Sequence, residues 1–169
     1  MIANVTSLLI RDAEVTDLEA IDSIYNHYVE RSTCTYQYDA TTPEERLTWF
    51  REHGAEHPVT VAVHGDEVVG WGSLSSFRSR AAYRFTVENA VYVRHDLHRR
   101  GIGARLLDDL VVRAARIGHR TIVAGISAEQ TASIALHRRA GFVDAGLMRA
   151  VGFKFDAWLD LVFMQRMLP

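Results

Sequence analysis

Residues 85–104 read Phe85-Thr86-Val87-Glu88-Asn89-Ala90-Val91-Tyr92-Val93-Arg94-His95-Asp96-Leu97-His98-Arg99-Arg100-Gly101-Ile102-Gly103-Ala104. Phe85 to Val93 is rich in β-formers and predicts a strand. From Ala104 to Ile117 the apolar residues recur at helical spacing, and Gly118 stops the run. Between strand and helix lies the segment Arg99 to Ala104. Its glycines let the backbone approach a ligand closely, and a helix start turns free N–H groups outward. Together with the helix dipole these features make a phosphate site, with Arg99 and Arg100 adding positive charge. A tight turn carrying two solvated arginines accounts for the same residues, so the glycine pair does not decide the matter alone. Two known phosphate loops are excluded by pattern. The dinucleotide fingerprint needs a third glycine at position 106, which is leucine, and no Gly-x-x-x-x-Gly-Lys-Ser/Thr string occurs.

Working outward, Ser7 to Arg11 predicts a first strand. Thr16-Asp17-Leu18-Glu19 has capping-box spacing, with Thr16 as cap and Glu19 reaching back, and Leu18, Ile21, Ile24, Tyr25 and Tyr28 follow at helical intervals. Thr42-Pro43-Glu44-Glu45 opens a second helix with proline at its first position, ending near Gly54. Val59 to Val63 and Glu67 to Ser73 flank His64-Gly65-Asp66 as a hairpin. Thr121 to Ile126 predicts a short strand and Ala132 to Ala140 a helix ended by Gly141. Strands near Phe142 to Ala150 and Trp158 to Met167 close the chain. Strands first in series, then alternating with helices, indicate a mixed α/β or α+β sheet.

The 169 residues fit one domain, 1–169, with no repeat, linker or low-complexity segment. A hydrophobic fraction of 48% is that of a globular chain, and a net charge of −2 gives no electrostatic reason to expect nucleic acid or an anionic membrane. The one cysteine, Cys34, forms no internal disulfide and suits a reducing cytoplasm. It reads as a small half-buried residue or, less readily, as a nucleophile. No apolar run approaches the ~20 residues that span a bilayer, and the N-terminal stretch lacks the features of a signal peptide. The eight histidines show no metal spacing such as His-Glu-x-x-His.

Val91-Tyr92-Val93 followed by Leu97 to Ala104 resembles the acetyl-CoA signature Gln/Arg-x-x-Gly-x-Gly/Ala of the GNAT acetyltransferases, with His98 in place of the usual Gln or Arg. The string Thr86 to Val93 resembles Thr-Val-Glu-x-x-Val-Tyr-Val of the phosphinothricin and methionine sulfoximine branch. Ala132 to Phe142 is similar to that branch's Ser-x-x-Leu-His-x-x-Leu-Gly-Phe segment, and Val151 to Asp160 to a C-terminal stretch. Ile24 to Val29 and Thr33 to Trp49 also fit, so the resemblance covers essentially the whole chain.

The resemblance implies the GNAT fold, an α+β domain whose mixed, mostly antiparallel sheet is flanked by helices and splays where the cofactor enters. It implies acetyl transfer from acetyl-CoA to the α-amine of a small amino acid such as phosphinothricin, methionine sulfoximine or methionine sulfone. It also implies a homodimer, which the apolar C-terminal strand suits; the histidine spacing leaves a metal site improbable, and the lone cysteine points to the cytoplasm. Backbone groups of Val91, Tyr92 and Val93 would hold the pantetheine arm as an added strand. The segment Arg99, Arg100, Gly101, Ile102, Gly103 and Ala104 would hold the pyrophosphate, with Gln130 and Ser133 as further cofactor contacts. Glu88 interrupts an apolar run, where a carboxylate is costly unless paired or wet, and partial burial raises its pKa toward a base's range. Its position fits the family's general base, against a carboxylate on a solvated face. His137 fits a donor to the departing thiolate or, equally, a packed and hydrogen-bonded histidine. Arg78, Arg80 and Tyr83 fit the loop that recognises the acceptor's acidic groups, and Tyr36 a pocket aromatic, where solvated loop and core residues are the alternatives. A GNAT enzyme with another acceptor (polyamine, aminoglycoside or protein N-terminus) and a non-catalytic CoA-binding module are the rival readings.

Overall fold

The structure, a computed structural model, describes residues 8–169. Ser7, where the first strand is expected to begin, lies outside the described residues. The elements run β1 (Leu8–Asp12), α1 (Leu18–Arg31), α2 (Pro43–Glu52), β2 (Val59–His64), β3 (Glu67–Ser76), β4 (Thr86–Val93), α3 (Ile102–Ile117), β5 (Thr121–Ser127), α4 (Thr131–Arg139), β6 (Val143–Lys154) and β7 (Ala157–Met167). They form one sheet in the order β1-β2-β3-β4-β5-β7-β6. Each neighbouring pair is antiparallel except β4 with β5. This is the mixed, mostly antiparallel α+β sheet expected from the sequence.

Side-chain alternation along β4 decides which helix meets which face. Val87 and Val91 join Leu107, Leu110, Ile122, Ile134 and Phe142 in a core beneath α3 and α4. Ala90 and Tyr92 turn the other way, to Trp71, Ile21, Tyr25 and Trp49 beneath α1 and α2. Helix α3 supplies Ile102, Leu106, Leu107, Leu110, Val111 and Ala114 as one buried stripe. Gly118 ends it at φ +99°, donating to the Ala114 and Ala115 carbonyls. The helix starts at Ile102, two residues before the expected Ala104, because Gly101 takes φ +78° and turns the chain into it. Thr42 and Glu45 form the capping box read from the sequence.

Thr16 does not cap α1. It lies within a 3₁₀ turn, Val15–Asp17, and the stabilising group is Asp17. Asp17 is buried and takes a bidentate grip from Arg11 at 2.6 and 2.8 Å and a backbone bond from Glu14 at 2.7 Å. The Arg11 hydrogen bond holds the Asp17 carboxyl below its ordinary pKa. A carboxyl depressed in the folded state stabilises the protein above its unfolded pKa, about 3.9, and that contribution is lost as pH falls through the folded value. Asp17→Asn should therefore cost about 1.5–3 kcal/mol at neutral pH. Urea unfolding should show the gap from wild type shrinking under acid, whereas a gap constant down to strong acid would contradict the assignment.

Candidate active site

The parallel β4–β5 ladder is short. It pairs Thr86 with Thr121, Val87 with Ile122 and Glu88 with Val123, then stops. Beyond that point β4 stays bound to β3 as far as Val93, and β5 stays bound to β7 as far as Ser127. The two strands diverge, and the wedge between them continues into a cleft of about 540 Å³. Its walls include Glu88 to Val93, Gly101 to Ala104, Ala124 to Ser127, and Gln130, Ser133 and His137.

Backbone parity decides what β4 offers to the wedge. Thr86 gives its carbonyl to Phe77, and Arg94 gives its N–H to Val69, so the even-numbered residues bond toward β3. The odd-numbered residues turn the other way, and Phe85 already gives its carbonyl to Arg120 across the β5 side. Val91 and Val93 therefore present backbone polar groups to an edge with no strand on it, the requirement for an extended amide ligand to add as a strand. The Val93 carbonyl is taken by the Tyr28 hydroxyl at 2.5 Å. Since that phenol hydrogen is used, the His98 Nε2–H donates to the Tyr28 oxygen, also at 2.5 Å. His98 thus braces the cleft from outside the glycine turn, and burial pushes the Tyr28 hydroxyl up to about 12.

The turn into α3 uses two left-handed residues, Arg99 at φ 60° and Gly101 at φ 78°. Among the described residues no side chain caps the helix, and its first internal bond is from Arg105 N to the Gly101 carbonyl. The N–H groups of Ile102, Gly103 and Ala104 precede that bond and point out of the first turn into the cleft, a built anion site. A Cβ on Gly103 would stand 3.4 Å from Leu136 and 3.6 Å from Val93, so α4, β4 and α3 meet there at the cleft floor. Among the described residues no group of three or more His, Cys, Asp or Glu is placed to hold a metal ion.

Glu88 stands where the ladder stops. By alternation its side chain lies on the α1–α2 face, opposite Val87. Burial alone pushes its carboxyl up from the ordinary range. A Cβ at Gly125 on the facing strand would lie 3.2 Å from Glu88 Oε1, so glycine there makes the room the carboxylate occupies. On the other face, His137 is 4% exposed. Its Nδ1 bonds the Ser133 carbonyl at 2.8 Å and its Nε2 meets the Asn89 amide nitrogen at 3.0 Å. Phe142 packs edge-on at 5.0 Å, and burial pushes the imidazole pKa down. The ring is neutral with both nitrogens engaged, the arrangement of a packed, hydrogen-bonded histidine.

The remaining candidates divide. Val91, Tyr92, Val93, Arg99, Gly101, Ile102, Gly103, Ala104, Gln130 and Ser133 all line the cleft, and Arg100 stands outside its wall. The Tyr92 ring packs away from the wedge, stacked on Trp71 at 4.9 Å. Gln130 reaches across to Thr33 Oγ1 at 3.2 Å, and Thr33 in turn bonds Glu129 at 3.0 Å. This ties the segment after α1 to the β5–α4 loop. Arg78, Arg80, Tyr83 and Tyr36 are not on the cleft wall. Arg78 lies over Phe77 and Tyr83 at 5.1 and 5.9 Å in the β3–β4 connection. Tyr36 lies against Gly152, where a Cβ would meet its ring at 2.6 Å, and its hydroxyl bonds the Asp160 carbonyl at 3.0 Å. Asn89, Gly125, Ser127, Arg139 and Cys34 line the cleft without having been singled out for it from the sequence. Burial pushes the Cys34 thiol up, which keeps it protonated.

Residues 21–142 match the acetyltransferase (GNAT) family. The chain is 42% identical over 161 residues to the L-methionine sulfoximine/L-methionine sulfone acetyltransferase of Pseudomonas aeruginosa, covering 94% of each chain. A phosphinothricin acetyltransferase from Sinorhizobium meliloti, solved in complex with acetyl-CoA, superposes with a TM-score of 0.93 at 39% identity, over 96% of this chain and 89% of that one. A ribosomal-protein-alanine N-acetyltransferase from Brucella melitensis superposes with a TM-score of 0.92 at 39% identity, over 95% and 99%.

Proposed function

This chain belongs to the acetyltransferase (GNAT) family, and we propose that it acetylates the α-amine of a small amino acid of the methionine sulfoximine, methionine sulfone or phosphinothricin type. It is an acetyl-CoA-dependent N-acetyltransferase. The observation that carries the finer reading is the placement of Glu88, a carboxylate pushed up by burial, at the point where β4 and β5 part.

The residues present fit acetyl-CoA. The edge at Val91 and the Val93 N–H match the amide-bearing pantetheine arm, the Val93 carbonyl being held by Tyr28, and the first turn of α3 matches a pyrophosphate. Gly101, Ile102, Gly103 and Ala104 supply that cradle, with Arg99 and Arg100 as nearby charge and Gln130 and Ser133 along the path of the arm; Tyr92, whose backbone bonds toward β3 and whose ring packs on Trp71, backs the strand instead. When bound, the cofactor would supply an acetyl thioester whose C–S bond breaks as the new C–N bond forms, the second proton of the attacking amine ending on the departing sulfur so that CoA leaves as the thiol. An amino acid arrives with its amine protonated, and Glu88 removes that proton, directly or through one water, so that the nitrogen lone pair can attack. The apolar surroundings that raise the Glu88 pKa are what make it basic enough for this role.

Arg78, Arg80 and Tyr83 form a loop beside the Glu88 strand, and a guanidinium there suits the carboxylate and the sulfone, sulfoximine or phosphinate group of such acceptors. Arg80→Ala should raise the acceptor KM by about 10- to 100-fold, the worth of a charge-assisted hydrogen bond, while the acetyl-CoA KM stays within about twofold. Equal acceptor KM values for wild type and variant would place the acid-binding groups elsewhere. A protein N-terminal alanine acetylated faster than any free amino acid would favour the other acceptor class.

We also propose a homodimer built on the C-terminal hairpin. Leu147, Met148, Val151, Phe153, Phe155 and Trp158 are exposed there, Trp158 at 68%, which is a large apolar surface for strands at a sheet edge. The lone thiol supports a reducing, cytoplasmic setting. Among the described residues, no helix is long and apolar enough to cross a membrane.

A further inference from the structure

Each turnover leaves one proton to be disposed of. An ammonium acceptor brings three hydrogens, the amide product keeps one, and one ends on the departing sulfur. The third is the one Glu88 takes, and Glu88 must lose it before it can serve again. With donor and acceptor both in the cleft, the way out past them is filled. Another way leads across the sheet. Ser75 on β3 is the direct cross-strand partner of Glu88, so the two side chains share a face, with Cβ atoms about 4.5–5.5 Å apart. Ser75 also lines the cleft. Its hydroxyl meets His53 Nε2 at 3.0 Å. The His53 Nδ1 lies 2.7 Å from the Trp49 carbonyl, which can only accept, so Nδ1 carries the hydrogen. In the neutral ring Nε2 is then a lone pair, and the Ser75 hydroxyl donates to it. That leaves the Ser75 oxygen lone pairs for a donor on the Glu88 side. His53, the residue that ends α2, stands on the wall of a second cavity of about 530 Å³. Asp12, Asp109, Arg113 and Arg116 share that wall, and a space so polar holds water. One hydrogen bond, Ser75 to His53, thus joins the cleft to a second cavity.

We propose that Ser75 and His53 carry the reaction's proton from Glu88 to solvent in the second cavity. The inference rests on Glu88 being the base. Glu88 gives its proton to the Ser75 oxygen, directly or through one water, as the Ser75 hydrogen moves to His53 Nε2. Loss of a proton from the imidazolium to water in the second cavity restores the neutral ring. Ser75 ends as a hydroxyl, His53 as a neutral imidazole and Glu88 as a carboxylate, and one proton has left the cleft. Neither Ser75 nor His53 touches a substrate, and both act through Glu88. The same bond fastens the end of α2 to β3, so the test must separate a relay from a mere brace.

The first turnover and the later ones make that separation. At mildly alkaline pH Glu88 starts ionised, so the first turnover needs no exit route, and every later one does. In His53→Phe, rapid mixing with acetyl-CoA and the best amino-acid acceptor should release one equivalent of thiol at the wild-type rate. A steady state about 10- to 100-fold slower should follow, reaching the lower end of what a positioned proton-transfer group contributes. Imidazole, small enough for the second cavity, should restore the steady state of His53→Phe and leave its first turnover unchanged. Ser75→Ala should repeat the burst, and Ser75→Thr, which keeps the hydroxyl, should not. Equal slowing of first and later turnovers in His53→Phe and Ser75→Ala, as a brace would give, or a wild-type steady state in both, would overturn the relay. Glu88→Gln with a wild-type first turnover would instead overturn the base assignment, and this inference with it.

Discussion

Glu88→Gln should lower kcat by about 10²–10⁴-fold, the usual contribution of a positioned general base. The substitution keeps the shape of the side chain and removes its ability to take a proton. Among the described residues the carboxylate has no ion-pair partner, and its pKa is raised by burial alone. Replacing it with a neutral amide therefore breaks no salt bridge, and the fold should hold. Acetyl-CoA affinity should stay near the wild-type value, because the anion site is the first turn of α3 and not β4. In the wild type, kcat/KM should rise with pH as Glu88 and the acceptor amine lose their protons. In the variant the Glu88 part of that limb should vanish, and the residual rate should recover partly at high pH, where free amine exists without help. A variant that keeps more than about a third of wild-type kcat at neutral pH would make Glu88 structural, given the 10²-fold minimum expected.

Gly101→Val should have the next largest effect, on cofactor binding. Among the described residues nothing lies within 4 Å of a Cβ built at Gly101, so the penalty is not a clash. It comes from φ +78°, a left-handed conformation that costs an ordinary residue about 1–2 kcal/mol and a β-branched one more. Valine would relieve that strain by untwisting the turn into α3, which re-aims the Ile102, Gly103 and Ala104 N–H groups. Hydrogen bonds to a charged group are worth about 1.5–3 kcal/mol each, so the acetyl-CoA Kd should rise by about 10- to 100-fold. The stripe from Leu106 to Ala114 holds the rest of α3, so the variant should remain folded. Unchanged acetyl-CoA affinity in a folded Gly101→Val protein would mean that the pyrophosphate sits elsewhere.

The parts of the fold legible in the sequence were those governed by local chemistry. Thr42 with Glu45, the apolar period of α3 and the stop at Gly118 each involve residues within a turn or two of one another. Thr16 misled because Arg11 and Glu14 both converge on its neighbour Asp17, and a bidentate pair outweighs a lone hydroxyl cap. In the site, Glu88 was legible as a charge inside an apolar strand. The wedge beside it was not, because it exists only where the β4–β5 ladder ends, a property of two strands far apart in the chain. Asn89 carried a readable signal, since alternation places it opposite Glu88, but its partner His137 comes from α4. Gln130 read as a cofactor contact, and in the folded chain it also meets Thr33 across the cleft, a pairing that no spacing rule encodes.

Acceptor-dependent thiol release puts the proposed reaction to its most direct test. Purified protein is supplied with acetyl-CoA and, in turn, methionine sulfone, methionine sulfoximine, phosphinothricin, a polyamine and an alanine-initiated peptide, with free thiol and product mass followed together. Thiol should appear in step with one of the first three acceptors, and that acceptor should gain one acetyl group on its α-nitrogen, with Glu88→Gln abolishing most of the rate. Protein that binds acetyl-CoA yet releases no thiol with any amino acid, or acetylates only the polyamine or the peptide, would contradict the proposed reaction.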